Sequence, residues 1–305
     1  TDVSGRGVGM DVVKKNIIQN SIYGVDIEKG AVDIARLRFW LSLIVDEPEP
    51  EALPNLDYKI VVGNSLISRL GEAVIDIDWN LNDTSHGLFG ADLAQRKADL
   101  LKKISAEQKE FFNPESDKKK LAADIRNLKI DLLITQLELM VKTKGLEKQP
   151  AGTSKKIAEQ TALYLQTLGW RESIKQLERL KLNPEEPLNF FDWKLDFPEV
   201  LNNLTTINTG FDIVIANPPY VEFKNLDEGF KKNLEPKYKS LKGKYDLYIA
   251  FLEKYFQLTA KNGCIISINP TRFMQRDYGK TIREIICENF NVVSIIDFHD
   301  KQVFE

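Results

Sequence analysis

Apolar residues in the first 83 positions alternate between short runs and helical spacing. The run SIYGVDI (21–27) has the β-forming residues of a strand, and YKIVVG (58–63) is a second such run. Between them lies AVDIARLRFWLSLIV (31–45), whose apolar side chains recur every three or four positions at Ile34, Leu37, Leu41 and Ile44. Strand, helix and strand in this order predict a βαβ unit with parallel strands.

The pattern changes over residues 91–182, which are rich in Lys, Glu, Gln and Leu. A repeat of 3.5 residues, broken by the polar Thr135, is formed by Leu121, Ile125, Leu128, Leu132 and Leu139. Residues 154–182 form a second amphipathic stretch. We therefore predict a pair of antiparallel helices, a helical hairpin inserted into an α/β domain.

An α/β pattern returns after this insertion. FDIVIA (211–216) predicts a short buried strand, and YDLYIAFLEKYFQLTA (245–260) predicts a helix. After a turn at Asn262-Gly263, CIISIN (264–269) and VVSIIDF (292–298) predict two further strands. The predicted organisation is an N-terminal half of a sheet at 1–90, the insertion at 91–185 and a C-terminal half of the sheet at 186–305.

Composition narrows the class of protein. The 305 residues include 42 Lys and Arg against 45 Asp and Glu, a formal charge of -3, which excludes a histone-like protein that wraps duplex DNA. Two cysteines and two histidines, all far apart, give no zinc pattern and no disulfide framework. Because no apolar run reaches the roughly 18 residues of a membrane helix, we expect a cytoplasmic protein.

The most informative tetrapeptide is Asn217-Pro218-Pro219-Tyr220, which directly follows the predicted strand FDIVIA. Ligands of open parallel sheets bind beyond the carboxyl ends of the strands. The two prolines fix the backbone and remove two N–H donors, so the loop is stiff and presents carbonyl groups. An Asn acceptor, a Pro218 carbonyl and an aromatic ring suit the exocyclic amine of a base extruded from its stack. A plain Pro-Pro turn with Tyr220 packed locally is the alternative.

FDIVIANPPYV resembles motif IV of the gamma-type N6-adenine DNA methyltransferases. Four further stretches resemble the branch of this family that includes the type IIG restriction–modification and phage-defence methylases. Residues 17–45 resemble its motif II, and residues 53–67 its motif III. Residues 190–201 resemble the lead-in to its motif IV, and residues 243–274 its motifs V and VI. The resemblance implies a class I S-adenosylmethionine-dependent fold, Rossmann-like and mostly parallel, with the inserted helical hairpin and a sheet incomplete at both ends.

The resemblance also implies roles for individual residues. The Asn217 side chain and the Pro218 carbonyl accept hydrogen bonds from the adenine N6 amine, and Tyr220 stacks on the flipped base. S-adenosyl-L-methionine is the implied cofactor, with Asp26 on its ribose hydroxyls and Ile27 against its adenine. Asn64 and Ser65 lie at the cofactor's adenine amino group, although many relatives have Asp in place of Asn64. Phe304 resembles the motif VIII aromatic that packs against the flipped adenine.

Both ends depart from the family pattern. The Asp-Pro-Ala-Cys-Gly-Ser-Gly type of motif I is missing, and TDVSGRGVGMDVVKKNI stands in its place. These 17 residues, with Gly5, Gly7 and Gly9, resemble the glycine-rich ATP-lid box of chemotaxis histidine kinases. We interpret them as a junction, a truncation or a remnant, with a cofactor loop as the alternative. We expect a target-recognition domain, and any nuclease domain, outside this chain.

The predicted function is N6-adenine methylation of double-stranded DNA within a restriction–modification or phage-defence system. N4-cytosine methylation stays open because its amine chemistry is equivalent. Two further hypotheses stay open: a catalytically silent DNA-binding or assembly fragment, and an ATP-binding signalling module. The seven lysines of residues 224–244 are interpreted either as a track for the phosphate backbone or as a solvated loop.

Overall fold

The computed structural model describes residues 10–298 except 46–54, 82–87, 112, 114 and 153. Within these residues the chain divides into two units, the first ending at Ile207 and the second beginning at Asn208. The fold is mixed α/β with parallel strand pairs. None of the helices in the described part of the chain is both long and apolar enough to cross a membrane.

The first unit begins with the predicted βαβ unit. Its elements are α1 (Met10–Ser21), β1 (Gly24–Asp26), α2 (Lys29–Ile44) and β2 (Ile60–Val62). The two strands are parallel and pair Gly24 with Ile60 and Asp26 with Val62, which confirms the predicted pairing. Both strands are shorter than predicted, and β1 begins later than predicted because α1 extends to Ser21. A small core holds these elements together, formed by Ile18, Val32, Leu43, Leu56 and Ile60.

A hairpin and a helical region follow. The hairpin is antiparallel, β3 (Arg69–Leu70) with β4 (Ala73–Val74), and the helices are α3 (Leu88–Glu110), α4 (Lys118–Lys144) and α5 (Lys155–Leu182). The prediction of a helical pair was therefore wrong, since three long helices are present. The many lysines of α3 make its apolar positions hard to detect in the sequence. Leu100, Leu101 and Ile104 are all buried in the shared core.

Helix α4 packs against both α3 and α5. Its buried residues therefore extend well beyond a single stripe. Thr135, the polar step of the repeat, is fully buried, and its hydroxyl donates a hydrogen bond of 2.7 Å to the Asp131 carbonyl. A buried threonine is tolerated at this position because its hydroxyl has a backbone partner.

Two short helices, α6 (Trp193–Asp196) and α7 (Pro198–Leu201), complete the first unit. Sequence pattern groups residues 186–207 with the C-terminal part, whereas their packing places them in the first unit. A buried ion pair joins α6 to α4, with 2.6 Å between Lys129 Nζ and Asp196 Oδ1.

The second unit is built on β5 (Phe211–Ala216) and β6 (Thr259–Ser267), which are parallel. Its helices are α8 (Glu228–Leu234), α9 (Tyr248–Leu258), α10 (Arg272–Gln275) and α11 (Lys280–Asn289). The predicted turn at Asn262-Gly263 lies inside β6, where Asn262 has a φ of 68° and the pairing register shifts.

Two expectations about this unit were wrong. The strand FDIVIA is not buried, because Ile213 and Ile215 alternate onto a face where they are 61% and 75% exposed. Residues 292–298 form no strand, and Val293 is 89% exposed. In the described part of the chain this sheet has only β5 and β6, so 292–298 has no strand partner.

Candidate active site

The Asn217–Tyr220 loop begins directly after β5. The carbonyl of Ala216, the last strand residue, accepts a hydrogen bond of 3.2 Å from the Ile268 N–H, which fixes the start of the loop beside the end of β6. Asn217 is exposed and Pro218 is buried. No described residue donates a hydrogen bond to the Pro218 carbonyl. The loop therefore has a backbone acceptor without a described donor next to an exposed amide side chain.

The Tyr220 hydroxyl ties this loop to the sheet. It lies 3.2 Å from the Ile268 carbonyl oxygen and 3.3 Å from Asn217 Oδ1, and one proton serves either acceptor. Tyr220 is 46% exposed, and its partial burial raises its pKa, so the hydroxyl stays protonated and donates. The ring is held at its hydroxyl end and leaves much of its surface accessible.

A cavity of about 210 Å³ lies beside Tyr220. It is lined by Tyr220, Glu222, Asp246, Tyr248, Pro270 and Arg272. The Tyr220 and Tyr248 rings meet edge to face, with 6.4 Å between their centroids. Pockets for drug-sized ligands occupy about 300–1,000 Å³, so this cavity has room only for a smaller group.

Hydrogen bonds fix the inner wall of the cavity. The Tyr278 hydroxyl donates to Asp246 Oδ2 at 2.9 Å, and the Tyr248 hydroxyl lies 3.2 Å from that of Tyr278. Burial, reinforced by the hydrogen bond to Tyr278, raises the pKa of Tyr248 far above its ordinary value. Because both tyrosines stay neutral, the chain of hydrogen bonds runs from Tyr248 through Tyr278 to the carboxylate.

Charged side chains lie at the more exposed part of the cavity. Glu222 pairs with Arg272, with 3.0 Å between Oε1 and Nη1, and with Lys224 at 2.8 Å. The hydrogen bond from Lys224 is the main cause of a lowered Glu222 pKa, followed by the hydrogen bond from Arg272. The Arg272 side chain is therefore exposed and pairs with a carboxylate beside the cavity.

In the first unit, the polar residues predicted to bind a cofactor follow β1 and β2. The carbonyl of Asp26 accepts a hydrogen bond of 2.9 Å from the Gly63 N–H, which places the carboxyl ends of the two strands together. Asp26 Oδ1 accepts from the Glu28 N–H at 2.8 Å. Asn64 Oδ1 accepts from the N–H groups of Leu66 and Ile67 at 2.9 and 3.2 Å.

These residues fit a nucleoside. The second carboxylate oxygen of Asp26 is directed at no described donor, and the residue is exposed, so it can accept from a ribose diol. Ile27 is 64% exposed and offers an apolar surface to a flat ring. Gly63 keeps this edge compact, because a Cβ there would lie 2.3 Å from the Phe191 ring.

Comparison with known proteins identifies the family. The model of the Eco57I restriction-modification methylase family matches residues 20–304. The chain belongs to this family. Among similar proteins, the Type II methyltransferase M.BstVI of Geobacillus stearothermophilus is 30% identical over 117 residues, which is 38% of this chain and 19% of the relative. The Type II restriction enzyme and methyltransferase RM.Eco57I of Escherichia coli is 32% identical over 108 residues, 34% of this chain and 11% of that protein.

A third relative aligns with most of the chain. The putative type II restriction enzyme and methyltransferase RM.MjaORFECS2P of Methanocaldococcus jannaschii is 26% identical over 297 residues, 87% of this chain and 23% of that protein. The chain thus spans less than a quarter of each of these three relatives. The resemblance to restriction–modification methylases that the motifs indicate is confirmed by the family match.

The structure places the predicted site residues in two groups. Asn217, Pro218, Pro219 and Tyr220 share one loop of the second unit, whereas Asp26, Ile27, Asn64 and Ser65 share one sheet edge of the first. Ser65 holds this edge through its carbonyl, which accepts from Trp193 Nε1 at 3.0 Å. The predicted Phe304 and the glycines Gly5, Gly7 and Gly9 lie outside the described residues.

Sequence reasoning missed the residues that form the cavity wall. Asp246, Tyr248 and Arg272 line the cavity and were assigned no role, although they lie in a stretch that resembles a family motif. Tyr278, which hydrogen-bonds to two of them, was also assigned no role. A signal was present at Asp246, because a carboxylate directly before an apolar helix and between aromatic residues requires a hydrogen-bonding partner when buried. No group of metal-binding side chains occurs among the described residues.

Proposed function

We propose that this chain carries the methyl-transfer site of an S-adenosylmethionine-dependent DNA methyltransferase that modifies the N6 amine of adenine. The observation that supports this most is the loop after β5, with an exposed Asn217, a free Pro218 carbonyl and a tethered Tyr220 beside a base-sized cavity. Membership of the restriction-modification methylase family gives the DNA substrate its biological setting.

Two acceptors on one stiff loop activate an amine. An exocyclic amine that donates one hydrogen bond to Asn217 Oδ1 and one to the Pro218 carbonyl is drawn out of conjugation with its ring. Its lone pair then becomes available as a nucleophile. The loop needs no covalent nucleophile, because the amine would take the methyl group directly, with the thioether of the cofactor as leaving group, and would lose its proton to water after the transfer. S-adenosylmethionine, when bound, supplies the electrophilic methyl group.

Tyr220 and the cavity receive the extruded base. Enzymes that act on a base inside a duplex extrude it, at a cost of a few kcal/mol, into a pocket that stacks on it. The Tyr220 ring provides the stacking surface, and its bond to the Ile268 carbonyl keeps that surface in place. Asp246 and Tyr248 bound the space on the inner side. We include Phe304 in the same base-binding set on the strength of its motif.

The cofactor role belongs to the edge formed by β1 and β2. We assign Asp26 to the ribose hydroxyls, Ile27 to the cofactor's adenine ring, and Asn64 with Ser65 to its amino group. Their acceptor, apolar and amide groups suit a nucleoside. The class I, Rossmann-like sheet and a cytoplasmic setting are part of the same proposal. We place a target-recognition domain, and any nuclease domain, outside this chain.

N4-cytosine methylation is the second candidate. The Asn217 and Pro218 acceptors select an exocyclic amine but do not distinguish a purine from a pyrimidine, so the chemistry alone favours neither base. The product distinguishes the two.

Transfer of a labelled methyl group to unmethylated genomic DNA tests the proposal. We expect the full chain to be active and Asn217→Ala to lose about 100-fold or more, the effect of removing one preorganised hydrogen bond from a transition state. Asn291→Ala, at an exposed position outside the loop and the cavity lining, is the matched control and should retain activity. Equal rates for Asn217→Ala and wild type would refute the role of the loop, and an inactive wild-type chain would favour the silent fragment.

A further inference from the structure

Positive charge is concentrated in the sequence between the Asn217–Tyr220 loop and Asp246, which lines the cavity. Residues 224–244, here called the lysine segment, hold seven lysines and three acidic residues, in a chain whose formal charge is -3. Four of these lysines are exposed and form no ion pair or hydrogen bond through the side chain with any described residue: Lys232, Lys239, Lys242 and Lys244. Their charge is available to a partner.

The acidic residues of the lysine segment have other partners. Asp227 caps α8 by accepting from the Phe230 N–H at 2.9 Å. Glu228 pairs with Lys231 at 2.7 Å, and Glu235 accepts from the Tyr245 hydroxyl at 3.1 Å. Lys231 differs from the four exposed lysines, since it is buried and its Nζ lies 4.0 Å from the centre of the Phe223 ring. The local acids therefore do not neutralise the exposed group.

The exposed lysines stand on a fixed backbone. The buried carboxylate of Glu253, on α9, accepts hydrogen bonds from the N–H groups of Lys239 and Ser240 at 3.1 and 2.8 Å. Tyr238 and Leu241, which lie between lysines, are buried, and so is Tyr245, which directly follows the segment. A backbone already ordered before binding loses little entropy when a ligand arrives, which favours a binding surface over a solvated loop.

We propose that the lysine segment binds the phosphate backbone of duplex DNA beside the extruded base. This inference rests on the proposed function, because it takes DNA as the substrate. The segment ends at Lys244, shortly before Asp246, which lines the cavity, so the lysines precede a residue of the base-binding wall in the sequence. Lysine is a point charge on a flexible stem and suits sequence-independent contact with phosphates.

Salt dependence of DNA binding tests this directly. Each phosphate contact adds about 0.9 to the slope of log affinity against log salt, so four contacts add about 3.6. Between about 50 and 200 mM salt, wild type should lose about 150-fold more affinity than a variant with Lys232, Lys239, Lys242 and Lys244 all changed to Gln. Fluorescence anisotropy with a labelled duplex measures both slopes, and circular dichroism confirms that each variant is folded.

Charge-matched controls separate a contact surface from a general effect of net charge. Lys102, Lys103, Lys155 and Lys156 are exposed lysines of the helical region without a described ion pair. Changing these four to Gln should leave the slope unchanged, and a fourfold Lys→Arg variant of the lysine segment should retain it. Equal slopes for wild type and the lysine-segment Gln variant, or equal losses in both Gln variants, would overturn the inference.

Methyl transfer separates this inference from the proposed function. The Gln variant of the lysine segment should raise KM for DNA and leave kcat near the wild-type value, since no lysine of the set is assigned to the chemistry. A reduced slope without any methyl transfer by wild type would support the surface and contradict the proposed chemistry. Methyl transfer by wild type, together with equal salt slopes for wild type and the Gln variant, would support the proposed chemistry and contradict the binding surface. If the Gln substitutions reduced the salt slope of binding to single-stranded RNA but not that of binding to duplex DNA, the choice of partner would be overturned.

Discussion

Replacing Asp196 by Asn tests how the helical region is held to the rest of the first unit. Lys129 on α4 and Asp196 on α6 lie 2.6 Å apart, and their side chains are 10% and 9% exposed. The second carboxylate oxygen of Asp196 accepts from the Asp192 N–H at 2.9 Å, a bond that an Asn side-chain oxygen can keep. The substitution therefore leaves Lys129 as a buried charge without its carboxylate.

Removing one partner of a buried ion pair costs about 3–5 kcal/mol, because the remaining charge stays desolvated. The chain offers a control at the same distance, since Lys29 and Asp33 also lie 2.6 Å apart but are 79% and 49% exposed. Asp33→Asn should cost only about 0.3–0.5 kcal/mol. Burial alone thus predicts a difference of nearly an order of magnitude between two chemically identical substitutions.

Urea unfolding followed by tryptophan fluorescence measures both values. The fluorescence reports on the first unit, which contains all four tryptophans: Trp40, Trp79, Trp170 and Trp193. Adding Lys129→Met to Asp196→Asn removes the stranded charge and should recover much of the lost stability. A loss below about 1 kcal/mol for Asp196→Asn, similar to that of Asp33→Asn, would refute a buried pair.

Three further predictions concern the site, the helical region and the lysine segment. Tyr220→Ala should lower kcat/KM for DNA about 5- to 150-fold, because stacking contributes about 1–3 kcal/mol. Tyr220→Phe keeps the ring and should stay within about tenfold of wild type. A comparable loss of kcat/KM in both variants would contradict a stacking role. Burial lowers the pKa of Lys97 to about 8 from 10.5, so between pH 8 and pH 10.5 the unfolded chain binds more protons and the unfolding free energy rises with pH. Urea titrations on either side of pH 8 should show this rise in wild type and lack the Lys97 contribution in Lys97→Met. Identical pH profiles for the two proteins would contradict the lowered pKa. Glu253→Gln should lower stability by about 1–3 kcal/mol and speed amide hydrogen exchange at Ser240, and unchanged exchange would contradict the anchoring of the lysine segment.

Local periodicity predicted the elements of the first unit but not what covers them. The spacing of Leu37 and Leu41 correctly indicated α2, yet both side chains are 50% exposed, whereas Val32 and Leu43 are buried. Periodicity shows that a helix has an apolar face, and only the packing of other elements determines which face is covered. The third long helix was missed for a related reason, because lysines surround its buried Leu101 and reduce the contrast between faces.

The residues of the site also fall into two groups, those that a local motif predicts and those that only tertiary structure brings together. Asn217 and Tyr220 are three positions apart, so a single motif gives both and a chemical reason for each. Asp246 and Tyr278 meet through a hydrogen bond across 32 positions, and only tertiary structure brings such residues together. The strand predicted at 292–298 failed because β propensity does not supply a partner strand.

The identity of the methylated nucleoside tests the central claim most directly. Unmethylated genomic DNA, which contains every short recognition sequence, is incubated with the chain and methyl-labelled S-adenosylmethionine, then digested to nucleosides and separated. The account predicts label in N6-methyldeoxyadenosine, formed by Asn217→Ala at an initial rate lower by about 100-fold or more. Label in N4-methyldeoxycytidine, or an equal rate of adenine labelling by Asn217→Ala, would contradict it.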